Sequence, residues 1–351
     1  MKNSMKAAVL YAPGDLRIES RKIPKPKKPG DVLIQVKATG ICGSDLDRIL
    51  HTGTYTFPTI PGHEFCGVVE DAGKQADGFE KGDRVVVAPI LPCMVCESCC
   101  KGNYGQCDNY DYIGSRRDGA MAEYVLAPAR NLIRMPDNMS FEEGAAVEPA
   151  AVTLHGVRQI GINAGDTVAV LGCGPIGLFA IQFVKLLGAV NVYAADIDRE
   201  KFGAARDAGA DECVDASQED AVEALRLLTP DKGVDVVIET AGSNITQEQA
   251  LRIARKKGRV LYLGTAHKEV KLPPETFECM LRNELWVTGS WNSYSAPFPG
   301  REWDSILEYV AAGRFDLSSA ITHRIGLDQI PDMIRKMENR GFLFNKVVIC
   351  F

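Results

Sequence analysis

The sequence predicts an α/β protein of two domains, an irregular β-barrel and a doubly wound parallel sheet. Its 351 residues exceed the usual size of one domain. Over the first 150 residues, short Val- and Ile-rich runs are interrupted by Gly and Pro, which is typical of irregular β structure. From Gly165 onward, apolar strands alternate with helical stretches, which is typical of parallel strands joined by crossover helices.

The order of these elements defines the expected domains. We expect a first domain over residues 1–152, a second over 153–295, and a segment over 296–351 that returns to the first. Predicted strands of the first domain cover residues 6–11, 32–38, 67–71 and 84–88. Those of the second cover 167–171, 191–195, 212–214, 234–238, 259–263 and 285–288, the number found in a doubly wound dinucleotide-binding sheet. The tail predicts helices at 302–312 and 327–338 and a strand at 346–350.

Charge and composition exclude several classes of protein. The 40 basic and 46 acidic residues give a net charge of −6, which disfavours nucleic acid and anionic lipid as partners. The most apolar stretch, residues 168–190, is interrupted by glycines, Pro175 and Lys185, so it does not predict a membrane span. The N-terminus lacks the apolar run of an export signal, and a cytoplasmic location is expected.

Four cysteines form the strongest single motif. Cys93, Cys96, Cys99 and Cys107 lie in a polar lobe at about 92–110, and four thiolates complete a tetrahedral zinc site with no position left for substrate. An iron-sulfur cluster is the alternative, but its usual run places the fourth cysteine after three residues and before proline. Here seven residues intervene and Asp108 follows. A structural zinc is therefore predicted.

A glycine-rich turn predicts a dinucleotide site. Residues 172–177 read GCGPIG, so that Gly172, Gly174 and Gly177 end a predicted strand and begin a helix with Pro175 and Ile176. Such a turn lets the backbone approach a pyrophosphate at the helix N-terminus. Asp196 ends the next strand, where it would bind the adenosine ribose hydroxyls and repel a 2′-phosphate, which favours NAD over NADP. Later loops containing Ala241 and Gly264 are expected to hold the nicotinamide half.

Two clusters in the first domain suggest a second, open metal site. They are residues 40–45, GICGSD, and residues 61–64, PGHE. Together with Glu148 they could supply a thiolate, an imidazole and carboxylates to one metal. Each cluster alone is modest support, because a lone Cys or His is more often part of a core. A carboxylate-containing site could also accept manganese or cobalt.

In this combination and order, the sequence resembles the zinc-containing medium-chain alcohol and polyol dehydrogenase family over nearly its whole length. The resemblance implies a GroES-like first domain, a Rossmann second domain, and a catalytic zinc in the cleft between them. It makes Cys42 and His63 zinc ligands and leaves the third ligand open between Glu64 and Glu148. Glutamate at position 148 is similar to the polyol dehydrogenase branch, and residues 110–119 and 289–303 resemble its polyol-phosphate members. A homo-oligomer, dimer or tetramer, is also implied.

The expected reaction is oxidation of a secondary hydroxyl of a sugar alcohol or its phosphate, with zinc as Lewis acid and NAD as hydride acceptor. Ser44 is the candidate proton relay, although it could serve only as a turn hydrogen bond. The resemblance gives Asp45 the role of holding the His63 ring, with helix capping as its alternative. Where many alcohol dehydrogenases continue the relay with histidine, this chain has Asp47, and histidine follows only at His51, so the proton exit stays open.

Two rival hypotheses remain. The substrate could be an unphosphorylated polyol such as sorbitol, and the chain could be a non-catalytic protein that binds zinc and a dinucleotide. A phosphorylated substrate needs a cation, and the nearest candidates in the matching motifs are Arg48, Arg116, Arg117 and Arg301. Trp291 and Tyr294 could shape the pocket or pack as core.

Overall fold

The computed structural model describes residues 3–76, 78–229, 232–339 and 341–351. The strands are β1 Ser4–Ala12, β2 Asp15–Lys22, β3 Asp31–Ile41, β4 Glu64–Asp71, β5 Arg84–Val87, β6 Ile90–Leu91, β7 Asp111–Tyr112, β8 Tyr124–Pro128, β9 Leu132–Arg134, β10 Thr167–Leu171, β11 Asn191–Asp196, β12 Glu212–Asp215, β13 Val234–Glu239, β14 Ala254–Tyr262, β15 Trp286–Gly289, β16 Ile321–Ile325 and β17 Lys346–Cys350.

The α-helices are mostly short and connect these strands. They are α1 Gly43–Asp47, α2 Glu97–Cys100, α3 Phe141–Gly144, α4 Val147–Ile160, α5 Pro175–Leu186, α6 Phe202–Asp207, α7 Ala221–Leu227, α8 Asn244–Ile253, α9 Pro274–Arg282, α10 Arg301–Ala311 and α11 Ile330–Asn339. Within the described ranges, no helix combines the length and the apolar character needed to cross a bilayer.

The chain forms two compact units, one of residues 1–149 and 294–351, the other of residues 150–293. The second unit contains a six-stranded sheet in the order β12-β11-β10-β13-β14-β15, and every strand pair in it is parallel. Central strands such as β10 are buried along nearly their whole length, as expected for a parallel sheet covered on both faces. The predicted α/β class with a doubly wound sheet is confirmed.

The six predicted strands of this sheet all form: β10 has the predicted bounds, β11, β12, β13 and β15 differ from them by one residue at one or both ends, and one strand differs more. The strand expected at 259–263 begins earlier and ends one residue sooner, as β14 Ala254–Tyr262. Its first half, with the sequence ARKKG, is polar and lacks the apolar run on which the prediction depended. From β10 the chain builds the sheet first to one side, through β11 and β12, and then to the other, through β13, β14 and β15. The carboxyl ends of β10 and β13 therefore flank a topological switch point, where doubly wound folds bind ligands.

The first unit is a mostly antiparallel barrel-like sheet in the order β16-β17-β3-β4-β5-β9, with β8 paired to β3. The C-terminal strand β17 pairs antiparallel with β3, where Val347 lies opposite Ile41. Sequence patterns missed several strands here, including β2, whose sequence DLRIESRK has no fully buried residue. This pairing places the start of β17 next to the end of β3 and the start of β4, and the candidate active site lies there.

Candidate active site and its metal centres

The four predicted cysteines of the lobe come together. The sulfurs of Cys93, Cys96, Cys99 and Cys107 all lie within 4.8 Å of one another. Backbone N–H groups of Cys93 and Cys96 donate to the sulfurs of Cys107 and Cys93 at 3.2 and 3.3 Å, which favours thiolates and fixes their positions. Cys100 lies outside the group and is exposed. The donor set fits a tetrahedral zinc ion with no open position.

A second group joins residues from two strand ends. The donor atoms of Cys42, which follows β3, and of His63 and Glu64, at the start of β4, lie within 4.8 Å of one another. In the β3–β4 ladder Gly40 lies opposite Glu64, and a Cβ at Gly40 would stand only 2.2 Å from Glu64 Oε2. Glycine at this position therefore leaves the room that the Glu64 carboxylate occupies. One thiol, one imidazole and one carboxylate fit an open zinc site.

Glu64 is also held by a cation that the sequence did not suggest. Lys346, the first residue of β17, donates to both Glu64 oxygens at 2.8 and 2.6 Å, and both side chains are buried. Burial opposes the charged ammonium, but the Glu64 carboxylate outweighs it and raises the pKa of Lys346. The cluster thus carries a buried ion pair beside its thiol and imidazole.

Asp45 contacts the His63 imidazole at its Nδ1 atom. Its Oδ1 lies 3.1 Å from His63 Nδ1, and its Oδ2 accepts a bond from the Cys42 backbone N–H at 3.2 Å. Both roles considered for this residue, holding the ring and capping α1, are therefore present in the geometry. Because Nδ1 faces a carboxylate, Nε2 is left as the nitrogen that could meet a metal.

Glu148, in the first turn of α4, is buried close to this cluster but is not one of the three residues whose donor atoms group together. Its Oε1 accepts a hydrogen bond from the Tyr112 hydroxyl at 3.4 Å. Burial raises the pKa of Glu148 to about 7, and the nearby Glu64 carboxylate adds to the rise. The Tyr112 ring in turn packs edge-on against His63, with ring centroids 5.7 Å apart.

Ser44 and Arg48 form a short polar chain to the thiol. The Arg48 guanidinium donates to Ser44 Oγ at 2.8 Å, and the Ser44 hydroxyl donates to Cys42 Sγ at 3.3 Å. Arginine stays protonated, so Arg48 cannot receive a proton from Ser44. Asp47 bonds instead to the Thr52 hydroxyl at 2.9 Å, and His51 lies 3.9 Å from Glu338.

The other arginines suggested for a phosphate differ in their partners. Arg117 forms an ion pair with Asp111 at 2.7 Å, whereas the Arg116 guanidinium lies over the rings of Tyr55 and Tyr110. Arg301 is exposed at the start of α10. Of the two aromatic candidates, Tyr294 is buried and accepts a hydrogen bond from the Ile90 backbone N–H, which is a packing role, and Trp291 is 56% exposed.

The second unit presents the glycine-rich turn as predicted, between β10 and α5. Gly172 has φ of +102°, and a Cβ on Gly177 would stand 1.9 Å from the Gly172 carbonyl oxygen. Gly174 caps α5, and Pro175 and Ile176 form its first positions, so the first backbone N–H groups have no side-chain cap. A cradle of this kind fits a pyrophosphate.

Asp196 and the later loops gather around this turn. Asp196 Oδ2 accepts a bond from the Cys173 backbone N–H at 2.6 Å, and its Oδ1 accepts one from Asp198 at 2.9 Å. A Cβ on Gly172 would meet the Ala241 nitrogen at 3.0 Å, so Ala241 lies beside the turn. A Cβ on Gly264 would stand 2.2 Å from the Gly242 nitrogen.

The sequence did not predict three contacts in the first unit that define the site. These are the contact of Lys346 with Glu64, that of Tyr112 with Glu148, and that of Arg48 with Ser44. Lys346 stands in a predicted strand, but only the pairing of β17 with β3 brings it to Glu64. Tyr112 belongs to a two-residue strand, too short for any periodicity. The spacing of four between Ser44 and Arg48 within a helical turn is the one signal that was available.

Comparison with known proteins agrees with this geometry. Residues 28–137 match the family described as "Alcohol dehydrogenase GroES-like domain", and residues 175–310 match "Zinc-binding dehydrogenase". Fold, metal-ligand groups and glycine-rich turn together define a zinc-type, NAD(P)-dependent dehydrogenase, and the chain belongs to the polyol dehydrogenases of this family.

Individual relatives cover almost the whole chain. Galactitol 1-phosphate 5-dehydrogenase of Escherichia coli (strain K12) is 37% identical, over 98% of this chain and 99% of that protein. A crystal structure of galactitol-1-phosphate dehydrogenase from Escherichia coli matches with a TM-score of 0.93 and 36% identity, over 99% and 100% of the two chains. Sorbitol dehydrogenase of Bacillus subtilis (strain 168) is 32% identical over 95% and 93%. A zinc-binding dehydrogenase from Sinorhizobium meliloti 1021, solved with NADP, matches with a TM-score of 0.91 and 37% identity over 100% of both chains.

Proposed function

We propose that this protein oxidises a secondary hydroxyl of a sugar-alcohol phosphate to a ketose phosphate, with galactitol 1-phosphate giving tagatose 6-phosphate as the specific reaction. The observation that carries the proposal is the open cluster of Cys42, His63 and Glu64, with Glu148 close by. Full-length similarity to galactitol 1-phosphate 5-dehydrogenase supports the choice of substrate.

Oxidation removes a proton from the hydroxyl and a hydride from the same carbon, leaving a ketone. Cys42 and His63 would hold the metal in the open cluster, and the glycine-rich turn would hold the dinucleotide. When bound, zinc supplies Lewis acidity that lowers the pKa of the substrate hydroxyl, and the nicotinamide supplies the hydride acceptor. Asp45 holds the His63 ring so that Nε2 faces the metal position.

For the third ligand we propose Glu64 rather than Glu148. Two observations support this assignment. The Glu64 carboxylate lies together with the Cys42 thiol and the His63 imidazole, and the Lys346 ammonium balances its charge. Glu148 would then contact the substrate hydroxyls or the fourth coordination position. The two assignments differ in metal affinity: Glu64→Gln should weaken zinc binding more than Glu148→Gln, as measured by competition with a chromophoric chelator.

Ser44 remains the proposed first proton acceptor, with a constraint that the sequence did not supply. Its oxygen accepts a bond from Arg48, which stays charged, so the proton must leave Ser44 toward a group other than Arg48. Arg48 instead orients the hydroxyl. The other two groups considered have different partners. Asp47 accepts a hydrogen bond from the Thr52 hydroxyl, and His51 lies near Glu338.

We propose NAD as the preferred cofactor, since the Asp196 carboxylate at the end of β11 would repel a 2′-phosphate. Its bond to the glycine-rich turn keeps it beside the pyrophosphate cradle. The preference predicts a higher kcat/KM with NAD than with NADP. Asp196→Ala should narrow that ratio, and an unchanged ratio would contradict the assignment.

The proposal is tested by a reduced-nicotinamide assay on a panel that pairs each polyol with its phosphate, including galactitol and sorbitol. We expect galactitol 1-phosphate to give the highest kcat/KM. Equal or better turnover without phosphate would favour the second candidate, an unphosphorylated polyol, which the similarity to sorbitol dehydrogenase supports. No turnover of any polyol by zinc-replete protein would contradict both.

A further inference from the structure

We propose that Arg116, held between Tyr55 and Tyr110, binds the phosphate of the substrate and sets the preference for a phosphorylated polyol. The inference rests on the proposed function, because it assigns the far end of the substrate to a particular side chain. Sequence similarity left four arginines as equal candidates, and their contacts distinguish Arg116 from Arg48 and Arg117.

The Arg116 guanidinium lies against two tyrosine rings. Its central carbon lies 4.2 Å from the ring centroid of Tyr55 and 4.3 Å from that of Tyr110. Cation–π contacts of this kind occupy the faces of the planar group and leave the N–H donors at its edge. These edge donors match the oxygens of a phosphate in a bidentate arrangement. Side-chain hydrogen bonds from Arg116 to Tyr55 and Tyr110 use part of its five N–H donors, and the others are left for an anion.

Two of the other arginines already have polar partners. Arg117 is paired with Asp111 at 2.7 Å, and Arg48 donates to Ser44 at 2.8 Å and lies 3.6 Å from Asp45. For Arg116, no carboxylate lies within ion-pair distance among the residues that the structure describes. A phosphate at Arg116 would therefore not have to displace an acidic side chain.

Arg116 is connected to the metal cluster through aromatic side chains. Successive ring contacts connect the two, since Tyr112 packs edge-on against His63 at 5.7 Å and Tyr110 packs edge-on against Tyr112 at 6.4 Å. The backbone N–H of Arg116 donates to the Tyr112 carbonyl at 3.0 Å, which ties the turn to the same strand. Arg116 is thus set back from the cluster by two rings.

The proposed substrate requires a cation that lies apart from the metal cluster. In galactitol 1-phosphate the oxidised carbon is C5 and the phosphate is on C1, at the opposite end of the carbon chain. With the C5 hydroxyl at the metal cluster, the phosphate must be met by a cation some distance away, not by one that touches the ligands. Arg48, which bonds to Ser44 beside Cys42, is too close to the reacting end for this role.

The experiment compares Arg116→Gln with Arg117→Gln, its neighbour in the chain, on galactitol 1-phosphate and on galactitol. Loss of a charged bidentate contact should raise the KM of Arg116→Gln for the phosphorylated substrate about 10- to 100-fold. Its kcat should change less than about 3-fold, because Arg116 is remote from the reacting carbon. Turnover of galactitol should not change, and Arg117→Gln should resemble the unaltered protein. Arg116→Lys, which keeps the charge but loses the planar fork, should be intermediate.

Inorganic phosphate, used as a competitive inhibitor, separates failure of this inference from failure of the proposed function. If the unaltered protein prefers galactitol 1-phosphate but Arg116→Gln keeps both that preference and the phosphate inhibition, Arg116 is not the subsite. If the unaltered protein shows no such preference, the proposed substrate is wrong. The subsite is then decided by phosphate inhibition alone, which must weaken in Arg116→Gln and not in Arg117→Gln.

Discussion

The two compact units gather their functional residues in different ways. In the second unit, the glycine-rich turn, Asp196, Ala241 and Gly264 follow the carboxyl ends of neighbouring parallel strands, which all meet at one edge of the sheet. In the first unit, the open cluster lies at the end of β3 and the start of β4, and Lys346 of the C-terminal strand β17 and Glu148 of α4 lie beside it. Chain order therefore predicts position in the second unit, and pairing between distant strands decides it in the first.

Two buried glutamates show the consequence of this difference. Glu64 in the first unit has both oxygens bonded to Lys346, so its charge is balanced. Glu239 in the second unit accepts bonds from the Gly242 N–H at 2.9 Å and the Thr246 hydroxyl at 2.7 Å through Oε1. Its Oε2 has no partner among the described residues. Glu64 is thus stabilised by a cation, whereas the bonds to Glu239 come from neutral donors.

The largest expected effect is on the open cluster of the first unit. Cys42→Ser should lower kcat/KM by about three orders of magnitude, because without the thiolate ligand the open site loses its zinc and with it the Lewis acid that acts on the substrate hydroxyl. Zinc measured by plasma mass spectrometry should fall from two ions per chain to one. The control is Cys99→Ser in the closed cluster, which should also lose one zinc but lose thermal stability more than activity. Full zinc content and activity in Cys42→Ser would contradict the assignment of the open site.

Removing the Lys346 ammonium tests whether the stability of the first unit depends on this ion pair between residues far apart in the chain. Lys346→Met leaves the Glu64 carboxylate buried without a counter-charge, which should cost about 3 to 5 kcal/mol of unfolding free energy. The measurement is urea denaturation of chelator-treated protein, and the double variant with Glu64→Gln should recover part of the loss. Lys81→Met, which removes an exposed pair with Glu70 at 2.7 Å, is the control and should change little. Equal effects of the two lysine changes would show that burial of the pair is unimportant.

In the second unit, the corresponding test concerns the close approach of Gly177 to the Gly172 carbonyl in the glycine-rich turn. Gly177→Ala places a Cβ against the Gly172 carbonyl, so we expect a loss of about 1 to 3 kcal/mol in stability and weaker NAD binding. Gly203→Ala is the matched control, since it lies in α6 with no atom within 4 Å of the new Cβ. That change should be neutral or slightly stabilising. Thermal unfolding and NAD titration by fluorescence measure both, and normal NAD affinity in Gly177→Ala would argue against the turn as the pyrophosphate site.

What the sequence could predict follows the same division. The glycine-rich turn and the cysteine lobe are contiguous motifs, so local spacing alone located Gly172 to Gly177 and Cys93 to Cys107. Cys42 and His63 needed family resemblance, because nothing local links residues that β3 and β4 bring together. The ion pair of Lys346 with Glu64 spans most of the chain, and no periodicity or spacing encodes it. Tyr55, Tyr110 and Arg116 were similarly beyond prediction as a stack, since their contact depends on how two loops pack.

The smallest expected effect concerns Glu239, the carboxylate without a cation. Burial raises the pKa of Glu239 above its ordinary value of 4.5, although its bonds from Thr246 and Gly242 oppose the rise. Because the folded protein then holds this proton more tightly than the unfolded chain, stability falls as pH rises from about 4.5 through the raised pKa. Glu239→Gln keeps the shape of the protonated acid, so it should flatten this part of the plot of Tm against pH and raise Tm slightly at neutral pH.

Glu200→Gln, an exposed change in the same unit, serves as the control and should leave that plot unaltered. The matching change in the first unit should behave in the opposite way, because Glu64→Gln removes the partner of a buried ammonium and should lower Tm at neutral pH. If Glu239→Gln also lowered Tm at neutral pH, Glu239 would be stabilised as an anion. The contrast between a cation-balanced and a neutral-donor glutamate would then be wrong.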